Sequence, residues 1–110
     1  MVNYNADTLD ATFTALADRT RRDMIAALAR HGELTLSVLA EPFQISLPAV
    51  MKHLRVLTEA GLVRREKRGR TVYCQLNEAA FRTAGEWLAH HERFWHQQLD
   101  RLDAYLGQEP

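Results

Sequence analysis

Residues 44–76 read QISLPAVMKHLRVLTEAGLVRREKRGRTVYCQL, and their order decides the fold. Ser46 is a good helix N-cap, and Pro48 stands in the first turn, where its missing N–H does no harm. Val50, Leu54 and Leu57 recur at helical spacing and make one apolar face; Gly61 then stops the helix. The opposite side shows Leu47, Met51, Lys52 and Arg55. Leu62-Val63 leads into a strand, Lys67-Arg68-Gly69-Arg70 forms a turn, and Thr71–Leu76 forms a second strand.

The same stretch concentrates the positive charge of a neutral chain. Over 46–76 there are seven basic residues (Lys52, Arg55, Arg64, Arg65, Lys67, Arg68, Arg70) against Glu59 and Glu66, a local +5. Residues 1–18 carry three acids and no base, and 77–110 carry three Arg against six acids. A basic block in a chain of zero net charge points to an anionic partner met on one face, or to a solvated patch.

The totals bound the rest. The 110 residues suit one domain with a modest core, and 46% hydrophobic with 25% charged is ordinary soluble composition. No apolar run approaches the roughly 18 residues of a membrane span. MVNYNADTLDATF is acidic and lacks the layout of a signal peptide. A single cysteine, Cys74, excludes an internal disulfide, so the expected home is a reducing cytoplasm, with no membrane partner and no cofactor.

Working outward, Leu9, Phe13 and Leu16 predict an amphipathic first helix starting near Asp7 or Thr8. Asp18 or Thr20 caps a second helix with Met24, Ile25, Leu28 and Ala29 inward, ended by His31-Gly32. Thr35 or Leu34 opens a short third helix that stops before Pro42. Asn77 caps a long last helix reaching about Leu106. The expectation is a mainly α fold with a β-hairpin wing, α-α-α-α-β-β-α, in one domain over 1–110. Within it, 34–59 form a helix-turn-helix, 62–76 the wing, and 77–106 a C-terminal dimerisation helix.

A helix-turn-helix followed by a hairpin suits DNA: one helix fills the major groove while wing arginines lie along the flanking backbone. Lys52 and Arg55 are the expected groove contacts. Leu47, Pro48, Ala49 and Met51 either pack on thymine methyls or complete the domain's packing. Ser46 is a cap first and a phosphate contact second. His53 either bonds a phosphate or is a packed helical histidine. Arg68 and Arg70 are expected at phosphates or in the minor groove. Arg21 and Arg22 either touch the DNA backbone or, by default, are surface residues.

Several motifs then resemble the ArsR/SmtB family of bacterial winged-helix repressors. They are His-Leu-x-x-Leu at His53, Leu54 and Leu57, the Ala60-Gly61-Leu62-Val63 junction, and Arg68-Gly69-Arg70 before Val72-Tyr73. The stretch ALADRTRRDMIAAL, 15–28, is similar to that family's opening helices, and the resemblance covers nearly the whole chain. It implies a dimeric repressor on a pseudo-palindromic double-stranded DNA operator. It also says where metal sensors hold their metal. The third-helix site uses a Cys-x-Cys pair, and Thr35 and Ser37 stand at those positions. Hydroxyls do not replace thiolates for soft metals. The tail HERFWHQQLDRLDAYL, 91–106, resembles a subgroup without recognised metal sites.

On the last helix, Glu92, His96 and Asp100 share one face and form a weak alternative metal site, although their spacing is not the family's. Cys74 offers a redox alternative if exposed, but a half-buried structural thiol is more usual. The stronger pattern is Phe81, Leu88, Trp95 and Leu102 at every seventh residue, with Ala84, Leu99 and Leu106 between. With Leu9, Phe13 and Leu16 of the first helix this predicts a homodimer interface formed by Leu88, Trp95, Leu99, Leu102 and Leu106. The alternative is packing within one chain. The leading expectation is thus a homodimeric repressor or autorepressor that does not respond to metal. An unidentified small-molecule inducer near Phe94, Trp95 and Tyr105 belongs to an allosteric version of it. No catalytic triad, phosphate loop or carboxylate pair suggests an enzyme.

Overall fold

The computed structural model describes residues 5–107, so the ends of the expected 1–110 domain lie outside the described residues. Five helices and three strands follow in the order α1 (Ala6–Leu16), α2 (Arg19–His31), β1 (Glu33–Thr35), α3 (Leu36–Ala40), α4 (Leu47–Glu59), β2 (Val63–Arg68), β3 (Thr71–Leu76) and α5 (Glu78–Leu106). The expected architecture is present, with one addition. Glu33–Thr35 is a strand, and Thr35, one of the two expected openings of the third helix, caps that helix ahead of Leu36, so Leu34 is not its start. It pairs antiparallel with β3, Leu34 opposite Cys74, so the wing is part of a three-stranded sheet ordered β1-β3-β2.

Local chemistry sets the boundaries. The Asn5 side chain accepts from the amides of Asp7 and Thr8 (2.9 and 3.2 Å), starting α1 slightly earlier than expected. Asp18 Oδ2 accepts from the Arg21 amide at 3.0 Å and Ser46 Oγ from the Ala49 amide at 3.3 Å, capping α2 and α4. Gly61 leaves α4 at φ +78°, a left-handed exit that glycine adopts without strain. Asn77 precedes α5 without capping it. Its Nδ2 donates to the Gly61 carbonyl at 2.8 Å and its Oδ1 accepts from Arg64 at 3.0 Å, tying the wing's base to the end of α4.

Met24, Leu28, Leu39, Val50, Leu54, Leu57, Leu62 and Cys74 are fully buried and form the core between α2, α3, α4 and the sheet. Fully burying an aliphatic side chain contributes about 1.5–3 kcal/mol, so the Val50-Leu54-Leu57 face fixes α4's rotation firmly. Two helix faces differ from expectation. In α1 the inward residues are Leu9, Thr12 and Ala15, with Leu16 partly buried against the core and Phe13 turned toward Trp87. In α2, Ala27 packs against the core and Ala29 is exposed.

Candidate nucleic-acid interface

With Val50, Leu54 and Leu57 facing the core, the advance of 100° per residue puts Lys52 and Arg55 on the far side of α4. Both are exposed, and neither has an ion-pair partner among the described residues. Leu47 opens the helix with 58% of its surface exposed, and Pro48 beside it is exposed as well. Ala49 and Met51 are half-buried at the margins. Ser46 is engaged as the cap. A rod of this kind, apolar at its leading edge and cationic along its outer line, matches what a major groove offers: thymine methyls, guanine edges and phosphates.

His53 lies on the flank of α4 and faces α2 instead of the outer line. Its Nδ1 is 3.4 Å from Arg21 Nη1 and 3.7 Å from Asp18 Oδ2. The backbone bond from Arg21, reinforced by the charges of His53 and Arg21, holds the Asp18 carboxyl below the usual carboxylate range. Arg21 is also a C-cap for α1: its Nε donates to the Ala15 carbonyl at 2.7 Å and its Nη2 to the Thr14 carbonyl at 3.2 Å. Arg22 Nη1 donates to the Leu16 carbonyl at 2.7 Å. Both arginines thus satisfy carbonyls that a helix end leaves open, with charge that suits its dipole. Their basic character made them look like surface residues, and only the tight α1–α2 corner shows the role.

The wing turns at Gly69-Arg70, where Gly69 has φ +65° in a two-residue connection that favours glycine at its first position. Its arginines divide into engaged and free. Arg68 donates to Glu33 from both Nη atoms at 2.9 Å, and from Nη2 to Glu66 at 3.0 Å. Its guanidinium also lies 4.4 Å over the Tyr73 ring. The Glu66 and Glu33 carboxylates hold this guanidinium above its ordinary range, and Arg68 in turn pulls the Glu66 carboxyl down. Arg64 is bonded to Asn77. Arg65, Lys67 and Arg70 are exposed and make no ion pair among the described residues. Cys74, beneath the sheet beside Leu34 and Arg65, is fully buried, and burial pushes its thiol up.

The last helix leaves the domain. Phe81 and Ala84 pack near the core, and Trp87 meets Phe13 at 5.6 Å and His91 at 4.3 Å. Beyond Trp87 the helix is largely exposed. Leu88, Trp95 (61% exposed), Leu99, Leu102 and Leu106 lie within one narrow stripe. Phe94 and Tyr105 are exposed away from it. Of the stripe's expected partners in α1, Leu9 is buried in its own chain and Phe13 is already against Trp87. Glu92 and His96 are 3.5 Å apart, but among the described residues no group of three His, Cys, Asp or Glu side chains could hold a metal ion. No helix among the described residues is long and apolar enough to cross a membrane.

Known proteins share this arrangement. Residues 16–66 match the helix-turn-helix domain family. The transcriptional repressor SdpR of Bacillus subtilis is 30% identical over 80 residues, covering 73% of this chain and 88% of that protein. The HTH-type transcriptional regulator Rv2034 of Mycobacterium tuberculosis is 40% identical over 93 residues, covering 82% and 80%. The crystal structure of the ArsR family transcriptional regulator RHA00566 superposes with a TM-score of 0.78 at 38% identity, covering 87% of this chain and 97% of that one. These relatives are transcriptional regulators and not enzymes. By these likenesses and its own fold, this chain belongs to the ArsR family of winged helix-turn-helix transcriptional regulators.

Proposed function

We propose that the chain is a homodimeric repressor working in the cytoplasm, with α4 of each protomer in successive major grooves of a pseudo-palindromic operator. Residues 1–110 act as one winged unit, and DNA binding needs no metal. The observation that carries this reading is the free cationic line of α4: Lys52 and Arg55 stand exposed opposite a buried anchoring triad. Leu47, Pro48, Ala49 and Met51 extend it toward thymine methyls, and Ser46 serves the helix as its cap. On the wing, Arg70 is free for a phosphate, whereas Arg68 is engaged by two carboxylates. The exposed stripe from Leu88 to Leu106 supports a two-fold helix–helix contact, and two grooves about 34 Å apart require two heads.

The burial and raised thiol of Cys74 weigh against redox control. Among the described residues of one protomer the Glu92–His96 pair has no third ligand near it, which weighs against metal control there.

The test is binding of the purified protein to the DNA upstream of its own gene, against a random duplex, at two salt concentrations. It is repeated with EDTA, zinc and a thiol oxidant. Specific binding untouched by all three supports the reading and directs a search for an organic effector to the exposed Phe94, Trp95 and Tyr105. Binding that appears or collapses with zinc promotes Glu92, His96 and Asp100 to a metal site. Loss on oxidation implicates Cys74.

A further inference from the structure

A cleft of about 280 Å³ opens between the helix-turn-helix and the wing tip. Its polar lining is Thr35 at the end of β1, Ser37 at the start of α3, and Arg70 and Thr71 at the wing turn; Leu47 and Val72 are among its apolar walls. The first residue of α4 and the tip of the wing therefore share one depression.

The lining chemistry is selective. Among its side chains there is one cation, three hydroxyls and no carboxylate. Arg70 has no ion-pair partner among the described residues, unlike Arg68 two positions earlier. Thr35 Oγ1 accepts from the Val38 amide at 3.3 Å and lies 3.5 Å from Ser37 Oγ. Whichever of these two hydroxyls donates to the other, one O–H proton is left over for a further acceptor. Thr71 supplies another donor. One positive charge with two or more hydroxyl donors fits a monoanionic tetrahedral oxyanion whose remaining groups are neutral. A phosphodiester has that character, and a dianionic phosphomonoester would leave one charge unmatched.

We infer that this cleft seats one backbone phosphodiester of the bound DNA, with Arg70 as its counter-charge and Thr71 and the Thr35–Ser37 hydroxyl pair as its donors. The inference rests on the DNA-binding reading and adds Thr35, Ser37 and Thr71 to the contact surface. The seat fixes register. Leu47 forms a wall of the same cleft, so a phosphate held there sets how far the leading edge of α4 enters the groove.

The experiment measures affinity for a random-sequence duplex as a function of salt, which reads backbone contacts without needing the operator. Six proteins are compared: wild type, Arg70→Ala, Ser37→Ala/Thr71→Val, the triple variant, Ser37→Ala and Ser37→Thr, each with its melting temperature as a folding control. Arg70→Ala is expected to lower the salt slope by about one unit, the signature of one lost phosphate neutralisation. The hydroxyl double variant is expected to weaken binding several-fold at the wild-type slope, and the triple to be within about twofold of Arg70→Ala, because groups that share one ligand are not additive. Ser37→Thr, which keeps the hydroxyl, should restore wild-type binding relative to Ser37→Ala. Fully additive losses, or an unchanged slope in Arg70→Ala, overturn the seat while leaving the DNA-binding reading standing. A wild type that binds no duplex removes that reading itself.

A second arm separates the two sources of a phosphate group. Inorganic phosphate is titrated against chloride at equal ionic strength while the Ser37 and Thr71 amide resonances are followed. No saturable shift is expected. A saturable shift accompanied by DNA release overturns the DNA assignment and makes the cleft a site for free phosphate.

Discussion

Arg68 reaches across the central strand of the sheet to Glu33, 35 positions earlier in the chain, and grips both carboxylate oxygens at 2.9 Å. Because the strands are ordered β1-β3-β2, the guanidinium passes over Tyr73 of β3 on its way from β2 to β1. Glu66, on the same strand as Arg68, adds a third bond at 3.0 Å. An arginine at the base of the wing turn is thus a strap between the wing and the strand that leads directly into α3.

Arg68 and Arg70 are therefore expected to behave differently on DNA. The charge of Arg68 is already matched by two carboxylates, so Arg68→Ala should leave the salt slope near the wild-type value, whereas Arg70→Ala lowers it by about one unit. The planar fork does not survive Arg68→Lys, and Glu33→Gln should produce the same loss. In a thermal-melt double-mutant cycle, Glu33→Gln and Arg68→Lys should be non-additive. Simple additivity, or an Arg68→Ala slope reduced as much as that of Arg70→Ala, would show that Arg68 leaves the strap to contact DNA.

Arg55 is expected to read sequence. It projects from the outer line of α4 with no partner among the described residues, so Arg55→Ala should cost operator binding about 1–3 kcal/mol and random-duplex binding much less. Competition titrations against both duplexes measure the difference. An equal loss on both would make Arg55 a backbone contact.

Where these residues lie was only partly legible in the sequence. The apolar face of α4 and the alternation of β3 each run long enough to show their period, and Gly61 and Gly69 punctuate them. β1 spans three residues, too few to display a period, and its partner strand is some forty residues away. Missing it hid the Glu33–Arg68 strap, so Arg68 and Arg70 looked equivalent. The C-capping bonds of Arg21 and Arg22 depend on an interhelical corner that no local pattern encodes. Asn77 looked like a cap because it sits in the cap position, yet its side chain is spent on Gly61 and Arg64.

The acid limb of stability should trace to two carboxylates. Asp18 is held below its ordinary value of 3.8 by the Arg21 amide and by the charges of His53 and Arg21. Glu66 is held below 4.5 by Arg68. A depressed folded value means that the stabilisation is fully present above the ordinary value and is lost as pH falls through the folded one. Melting temperature should therefore drop below about pH 4, and the drop should be shallower in Asp18→Asn, which keeps a capping oxygen, and in Glu66→Gln. A variant whose acid limb overlays the wild type would show that its carboxylate is not the group titrating.

Cys74 should be chemically silent in the folded protein. The thiol is fully buried and pushed above its ordinary value of 9.0, so thiolate is scarce, and a reagent must wait for an opening. Labelling by a thiol reagent at neutral pH should be slow in buffer and fast in denaturant. Cys74→Ser places a hydroxyl in an apolar site and should cost about 1–3 kcal/mol if that group finds no partner, measured by denaturant unfolding. Rapid native labelling would reopen the redox reading.

The last prediction concerns the stripe on α5. Trp95 and Leu102 are seven residues apart, and both are more than half exposed in one protomer, as are Leu88, Leu99 and Leu106. Such a line of large apolar side chains, continuing from a helix start anchored by Phe81 and Ala84, gains by meeting its own copy across a two-fold axis. Replacing Trp95 and Leu102 by Asp removes the contact area and puts carboxylates where the two helices would meet. Neither side chain touches the core cluster, so the winged domain should keep its circular dichroism and its melting behaviour near wild type. Sedimentation should show a shift from dimer to monomer. Operator affinity should then fall by at least about 100-fold, since one head retains only half of the groove contacts and the effective-concentration advantage of the second is lost. If the double variant remains dimeric and binds the operator as before, α5 does not join the protomers, and the stripe covers some other surface.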